Sequence, residues 1–390
     1  MKKSWLNRNV LSLGAVSFFT DVSSEMIFPL LPIFLSRFMG VGSQIIGLIE
    51  GVADSISSLL DIFVGYFSDS RRSRKQFVLA GYGLSALTKT GIAFASIWQQ
   101  FLFLRGFERL GKSIRSSPRD AIIAGSTDEA SRAKAFGLHR ALDTLGAIAG
   151  PAIAYLILSS LGDTESAYRT VFMFAILPAF IAVALILFLV REPKKKVASK
   201  APKVGFWQSI RLLTPNYRSF VLISCIFSLA YFSFALLILR AHDLGITDSN
   251  ILLLYLLYNI VYALASVPIG ALADKFGKKN TIICSFALYA LICIGFASLT
   301  QWWQIAILFA FYGIFVSADE SVNKAYISGM VGDKSRGIAL GAYNSAVGAA
   351  YLPANLLLGF LWAAFGPAIA FFTSAALAAF AAVALFLKVK

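Results

Sequence analysis

Apolar residues fill most of the chain in runs of about twenty, and short polar segments separate the runs. A run of this length crosses the hydrocarbon core of a membrane when it is helical. Twelve runs are present, at residues 10–38, 44–68, 75–97, 99–124, 134–161, 169–191, 219–240, 249–273, 280–299, 303–328, 337–362 and 366–388. The pattern predicts an all-α membrane protein with twelve transmembrane helices, called spans 1 to 12 in this order.

Composition and charge agree with this interpretation. Hydrophobic residues make up 58% of the 390 residues and charged residues only 14%, against about a quarter in a soluble domain. With the N-terminus inside, most lysines and arginines lie in the tails and inner loops, and only Arg37, Arg169 and Arg240 fall in outer loops. This positive-inside distribution predicts an inner or plasma membrane protein with both termini in the cytoplasm. This distribution accounts for the net charge of +15, so the charge does not indicate a nucleic-acid partner.

The chain divides into two halves that repeat each other. The basic stretch "REPKKKVASKAPKV" follows span 6, and we predict a six-helix bundle at 1–192, a cytoplasmic linker at 193–215 and a second bundle at 216–390. At a shift of about 205, "GYFSDSRRSRK" from Gly65 matches "GALADKFGKKN" from Gly270, and "SRAKAFG" from Ser131 matches "SRGIALG" from Ser335. Repeated halves are typical of secondary transporters.

Two motifs carry a resemblance to a known family. "GALADKFGKK" resembles the signature between the second and third helices of each half in the major facilitator superfamily. "GLHRALDTLGAIAGPAIAY", from Gly137, is similar to the fifth-helix signature of that superfamily's drug:proton antiporters, and Arg105 lies where a fourth-helix arginine is expected. Arg72, Ser73, Ala154 and Tyr155 depart from these signatures. The resemblance implies two pseudo-symmetric six-helix bundles, with span 4 lining a central cavity.

Span 4 is unusually charged. In "FLFLRGFERLGKSIRSSPRDA", from Phe101, the charged residues through Arg119 share one helical face, and Phe103 and Phe107 lie on the other. Five cations facing lipid would cost on the order of 12–18 kcal/mol, so the charged face must meet protein or water. We predict that Arg109, Lys112 and Arg115 bind substrate.

Acidic residues in the first half provide candidates for proton coupling. Asp21 and Glu25 lie one turn apart in span 1, and Asp143 lies in span 5. Buried carboxylates beside cations can bind and release protons, so we predict that these three couple transport to a proton gradient. The alternative is that buried charges only hold helices in register, and we favour it for a second group: Glu50, Asp54, Asp61 and Lys89.

The second half offers a different surface, made of tyrosine and asparagine. Tyr258 and Tyr262 share a face of span 8, Asp319 and Asn323 lie in span 10, and Asn344 lies in span 11. Such side chains can stack on a ligand and hydrogen-bond to it, so we predict a second part of the substrate site here. Ordinary polar helix packing is the alternative.

A third set of residues is predicted to control the conformational change. Acidic residues at the inner ends of helices can pair with loop cations in one state and release them in the other, and small residues with a proline allow close contact and bending. The predicted gating residues are Asp69, Arg74, Asp120, Asp274, Lys278, Gly146, Gly150 and Pro151.

We expect no enzymatic activity, cofactor or metal site. There are two histidines, and the three cysteines lie within spans. Our hypothesis is a monomeric, proton-coupled antiporter that exports an amphipathic organic solute, with or without a carboxylate. The alternatives are a symporter or uniporter that imports an organic anion, and a non-transporting receptor or lipid flippase. The expected partners are a small-molecule substrate, protons and the lipid bilayer.

Overall fold

The computed structural model of the protein describes residues 6–70, 74–128, 131–192, 214–331 and 336–389, with side chains at all of these except 59–70 and 336–338. The predicted linker lies almost entirely outside the described residues. Within them the chain is helical and contains no strand. The helices are α1 (Arg8–Ile27), α2 (Leu31–Met39), α3 (Ser43–Ser70), α4 (Arg74–Phe94), α5 (Trp98–Ser126), α6 (Arg132–Leu161), α7 (Glu165–Leu189), α8 (Pro215–Ala230), α9 (Phe234–Asp243), α10 (Asp248–Phe276), α11 (Lys278–Ser298), α12 (Trp302–Met330), α13 (Arg336–Phe365) and α14 (Pro367–Lys388).

These helices form twelve segments long enough to cross a membrane, which confirms the predicted architecture. The pairs α1–α2 and α8–α9 each make one apolar segment, Arg8–Met39 and Pro215–Asp243. Ten segments are also apolar enough by composition alone among the described residues. Helix α5 is long enough but is not one of the ten, because its charged face interrupts the apolar run.

The first span of each half is broken at a matching position of the repeat. Helix α1 ends before Pro29, and α8 ends before Tyr231. At the second break the amide of Phe232 donates to Tyr289 Oη at 2.8 Å, and the amide of Ser233 donates to Asn355 Oδ1 at 2.9 Å. Irregular backbone is tolerated at membrane depth only when its polar groups have partners, and side chains from α11 and α13 provide them.

The chain forms two compact units. The first contains Met1–Met39, Leu59–Ala201 and Asp248–Leu253, and the second contains Gly40–Ser58, Pro202–Thr247 and Leu254–Lys390. The first turns of α10 therefore pack with the first unit, and the first half of α3 packs with the second. Which unit a segment belongs to therefore depends on its long-range contacts and does not follow from its position along the chain.

Each unit has its own core. In the first unit α1 packs against α6 and α7, and α4 packs against α5 and α7. Buried aliphatic residues from these helices meet there, including Val10, Val78 and Ile186. In the second unit α11 packs against α12 and α14, and α8 packs against α13 and α14. The rings of Phe227 and Phe286 stack with their centroids 3.7 Å apart.

Candidate functional site

A close contact between α1 and α6 forms the base of the candidate site in the first unit. A Cβ atom added to Gly146 would lie 2.5 Å from the carbonyl oxygen of Phe18, and one added to Gly150 would lie 2.7 Å from that of Val22. Glycines four residues apart let two helix backbones approach in this way. These two residues, predicted to act in gating, therefore hold the α1 face that carries Asp21 against α6.

Two acidic side chains meet beside this contact. The carboxyl groups of Asp21 in α1 and Asp143 in α6 are neighbours, near enough to share a hydrogen bond when one of them is protonated. Asp143 also accepts a hydrogen bond from Ser17 Oγ at 2.7 Å and pairs with Arg140 at 3.0 Å. Two carboxyl groups can share a hydrogen bond only when one of them carries a proton. The structure thus brings together two of the three residues that we predicted from sequence for proton coupling.

Glu25, the third of these residues, lies one turn further along α1. Its Cβ would be 2.9 Å from a Cβ added to Gly150, so it lies at the same helix contact. Like Asp21, it is half-buried. The pair of glycines in α6 thus faces the pair of acids in α1.

The charged and apolar faces of α5 are arranged as the sequence pattern indicates. Phe103 is 65% exposed on the outer side of the helix, whereas Arg105 and Glu108 are buried. Arg105 Nη1 lies 2.7 Å from Glu108 Oε2, and Arg109 Nε lies 3.9 Å from the same oxygen. The guanidinium of Arg105 also lies over the ring of Phe28, 5.0 Å from its centroid. Glu108 is therefore the shared counter-charge of two arginines.

Of the three predicted substrate-binding cations on α5, Arg115 has the most constrained environment. Its side chain is buried, and its guanidinium carbon lies 4.1 Å from the centroid of the Tyr82 ring. One terminal nitrogen, Nη1, is buried and has no hydrogen-bond partner among the described residues. Lys112, by contrast, is exposed, and Arg109 is partly buried. The three cations thus differ in how much solvent they meet.

Lys89 belongs to this charged cluster, although the sequence pattern favoured only a structural role for it. It is 2% exposed, and its Nζ donates to the carbonyl of Thr20 at 3.3 Å. The ammonium lies within electrostatic reach of Glu108, Asp21 and Glu25. The only sign of Lys89 in the sequence is that it is a single lysine within the apolar part of span 3. The sequence analysis also did not identify Ser17, which donates to Asp143, because an uncharged serine does not stand out in an apolar span.

In the second unit the predicted residues do not all share one environment. Tyr262 Oη donates to Glu320 at 2.6 Å, and Asn323 Nδ2 donates to Asp319 at 2.7 Å. Asn344 lies on an exposed part of α13. The buried asparagine of that helix is Asn355, which supports the break between α8 and α9.

The predicted gating residues have the following surroundings. Arg74 Nη1 donates to the carbonyl of Ala121 at 3.4 Å, and Asp120 pairs with Arg119 at 2.9 Å. Glu192 accepts hydrogen bonds from the amides of Arg74 and Lys75, so it caps the start of α4, which the sequence pattern did not indicate. Asp274 and Lys278 lie at the turn between α10 and α11, and Pro151 is buried inside α6. The side chain of Asp69 is outside the described part of the chain.

Comparison with known proteins identifies the family. The family model of the Major Facilitator Superfamily matches residues 13–239 and 219–390, so the chain belongs to this superfamily of membrane transporters. It is 37% identical over 363 residues to the uncharacterized MFS-type transporter MJ1317 of Methanocaldococcus jannaschii, covering 92% of this chain and 89% of that protein. It is 26% identical over 311 residues to the multidrug resistance protein MdtG of Dickeya zeae, covering 77% and 74% of the two chains.

Solved structures agree on the fold. A crystal structure of a mutant of the nucleoside transporter NupG superposes with a TM-score of 0.84 at 13% identity, covering 98% of this chain and all of that one. At this identity the likeness concerns the fold alone. The chain is thus an integral membrane transporter for small molecules, as the twelve apolar segments and the repeated halves predicted.

Proposed function

We propose that the protein is a proton-coupled antiporter that exports an amphipathic organic solute, with or without a carboxylate, by alternating access. The observation that carries the proposal is the pair of neighbouring carboxyl groups, Asp21 and Asp143, next to the cationic face of α5. The distant similarity to MdtG, which is named a multidrug resistance protein, is compatible with export.

Proton coupling follows from what the pair can do. While Asp21 and Asp143 hydrogen-bond to each other, they hold one proton between them. Separating them places two carboxylates near cations, where the charged form of each is favoured. Movement of α1 relative to α6 would therefore change how many protons the unit holds. A conformational change that alters proton binding is what coupling requires.

The cationic residues of α5 link the proton to the solute. Arg115 lies within electrostatic reach of Asp21, and its Nη1 atom is buried without a partner in the described residues. A solute with an acceptor or a carboxylate would satisfy this nitrogen. Antiport requires that solute and proton exclude each other, so solute would bind when the carboxyl pair has lost its proton and leave when the pair regains it.

The second candidate function uses the same cations differently. In a symporter or uniporter that imports an organic anion, Arg109, Lys112 and Arg115 would be its ligands, and the unpartnered nitrogen of Arg115 favours this reading equally. The carboxyl pair argues against the uniporter, because a uniporter has no use for an exchangeable proton, whereas a symporter would move proton and solute in the same direction. The direction of proton movement during transport separates the two functions.

Transport measurements on purified protein in proteoliposomes test the proposal. A screen of amphipathic solutes by thermal stabilisation provides a substrate, and an imposed pH gradient then drives its movement. Asp21→Asn and Glu25→Gln should abolish pH-driven transport and keep solute binding at neutral pH. Glu165→Gln, at the exposed start of α7, is the matched control. If both span 1 variants transport with the pH dependence of the wild type, proton coupling through α1 is wrong.

The remaining assignments belong to the same proposal. Both termini are placed in the cytoplasm and the protein is taken as a monomer in an inner or plasma membrane. The gating set is proposed as two inner latches around Asp69 and Asp274, with Gly146, Gly150 and Pro151 as the flexible part of α6. Cysteine accessibility from each side of intact membrane vesicles tests the orientation.

A further inference from the structure

Four half-buried tyrosines form a connected surface in the second unit, which we call the tyrosine wall: Tyr231, Tyr258, Tyr262 and Tyr351. The rings of Tyr231 and Tyr351 have centroids 5.6 Å apart, and those of Tyr258 and Tyr262 are 6.3 Å apart. Buried Tyr312 joins the two pairs, since its hydroxyl donates to that of Tyr231 at 3.0 Å and its ring lies 5.6 Å from Tyr258. The wall offers several ring faces that are not completely covered.

Carboxylates of the same unit surround the wall. Tyr351 lies within electrostatic reach of Asp319, Asp54 and Glu320. Tyr262 donates its hydroxyl hydrogen to Glu320. The nearest cation along α12 is Lys324, an exposed residue one turn after Glu320 and within electrostatic reach of Asp319. Three carboxyl groups of the unit therefore lie near the wall, and Asp319 is the one that contacts Asn323.

A buried acceptor atom next to one of these acids has no partner. Asn323 is 3% exposed and donates its Nδ2 hydrogen to Asp319, while its Oδ1 has no hydrogen-bond partner among the described residues. Exchanging the two ends of the amide would place Oδ1 against the carboxylate of Asp319, so the alternative amide orientation does not remove the difficulty. An N–H donor from outside the unit would satisfy Oδ1.

We infer that the tyrosine wall and its acids bind a protonated amine of the transported solute. The inference rests on the proposed transport function and names the chemical class of one group of its substrate. An ammonium group offers N–H donors to Asn323 and Asp319, and its charge is attracted to the tyrosine ring faces. The apolar body of an amphipathic amine can cover the rings themselves. A carboxylate at the same place would offer no N–H donor to Asn323 and would lie against the acidic side chain of Asp319.

The inference distinguishes solutes that share one shape and differ in one group. The probes are a panel of arylalkyl amines, each with the alcohol, the carboxylate and the trimethylammonium compound on the same aryl-alkyl body. At pH 7 the amines are protonated, since an alkylammonium loses its proton near pH 10. Affinities for the purified protein in detergent are measured by equilibrium dialysis at fixed ionic strength.

We expect at least one amine to bind about tenfold more tightly than its alcohol, the effect of roughly one good charged contact. The trimethylammonium compound should bind more weakly than the amine, because it keeps the charge and has no N–H donor. Asp319→Asn and Asn323→Leu should each lower amine affinity more than alcohol affinity, because the alcohol has a single O–H donor and no charge. Asp243→Asn, at the end of α9, makes the same chemical change as Asp319→Asn outside the wall and should bind amines like the wild type.

Several results would overturn the inference: no amine in the panel binding more tightly than its alcohol, or amine binding that survives Asp319→Asn, Asn323→Leu and Tyr351→Leu. Three separate variants keep the test decisive if one of them fails to fold, which melting temperatures report. Failure here is distinct from failure of the proposed function. Proton-driven transport of a carboxylate without amine preference contradicts only the amine site, and amine selectivity without pH-driven transport contradicts only the proton coupling.

Discussion

The contact between α1 and α6 makes a quantitative prediction about Gly146. In Gly146→Ala the new Cβ would lie 2.5 Å from the carbonyl oxygen of Phe18, against about 3.4 Å for an ordinary contact. The two backbones must therefore separate by about 0.9 Å, the difference between these distances. Overpacking of this kind costs about 1–3 kcal/mol, whereas replacing a helical glycine by alanine contributes up to about 1 kcal/mol of stabilisation. We expect a net loss of stability.

Gly137 provides a matched control in the same helix. A Cβ added there meets no atom within 4 Å, so Gly137→Ala should be neutral or stabilise the protein by up to about 1 kcal/mol. Melting temperatures of both variants in the same detergent measure the difference. If Gly146→Ala melts at or above the temperature of Gly137→Ala, the close helix contact in the described structure does not exist in the protein.

The same substitution has a functional consequence. The new Cβ would lie 3.0 Å from Cβ of Asp21, so the separation moves Asp21 away from Asp143. A hydrogen bond weakens steeply when its atoms separate by most of an ångström. We therefore expect Gly146→Ala to lower pH-driven transport in proteoliposomes more than it lowers solute binding. Equal losses of transport and binding would mean that the variant damages the site as a whole.

Three further predictions concern other parts of the chain. Asn355→Leu should lower the free energy of unfolding by about 1–3 kcal/mol, because the amide of Ser233 at the helix break loses its acceptor. Asn344 is exposed on the same helix, so Asn344→Leu should change that free energy by less than about 0.5 kcal/mol. Arg37→Ala should destabilise by about 1–3 kcal/mol, because buried Asp248 loses a partner 2.5 Å away, and Arg37→Lys should restore part of the loss. Asp69→Asn should lower the transport rate and leave the solute dissociation constant within a few-fold, since a latch acts on the conformational change; a variant that loses binding instead would place Asp69 in the solute site.

The sequence alone was sufficient for the twelve spans and the polarity of their faces, and it did not indicate the breaks inside spans 1 and 7. Apolar run length depends on the thickness of the membrane, and helical periodicity is a local property, so both are readable without knowing any contact. Helix α5 is an example of a helix whose buried and exposed faces were predicted from periodicity. Its charges had to avoid lipid, and the described structure has Arg105 buried and Phe103 exposed, as the pattern required.

The pairing of the polar residues was decided by tertiary structure. Asp143 could have met any cation or acid of its half, and only the close packing of α1 on α6 brings it to Asp21. Two asparagines of α13 likewise look equivalent in sequence, yet Asn355 supports a break in another helix and Asn344 is exposed. A hydrogen bond between helices depends on distances of a few tenths of an ångström between residues far apart in the chain. The periodicity of a single helix contains no information about those distances.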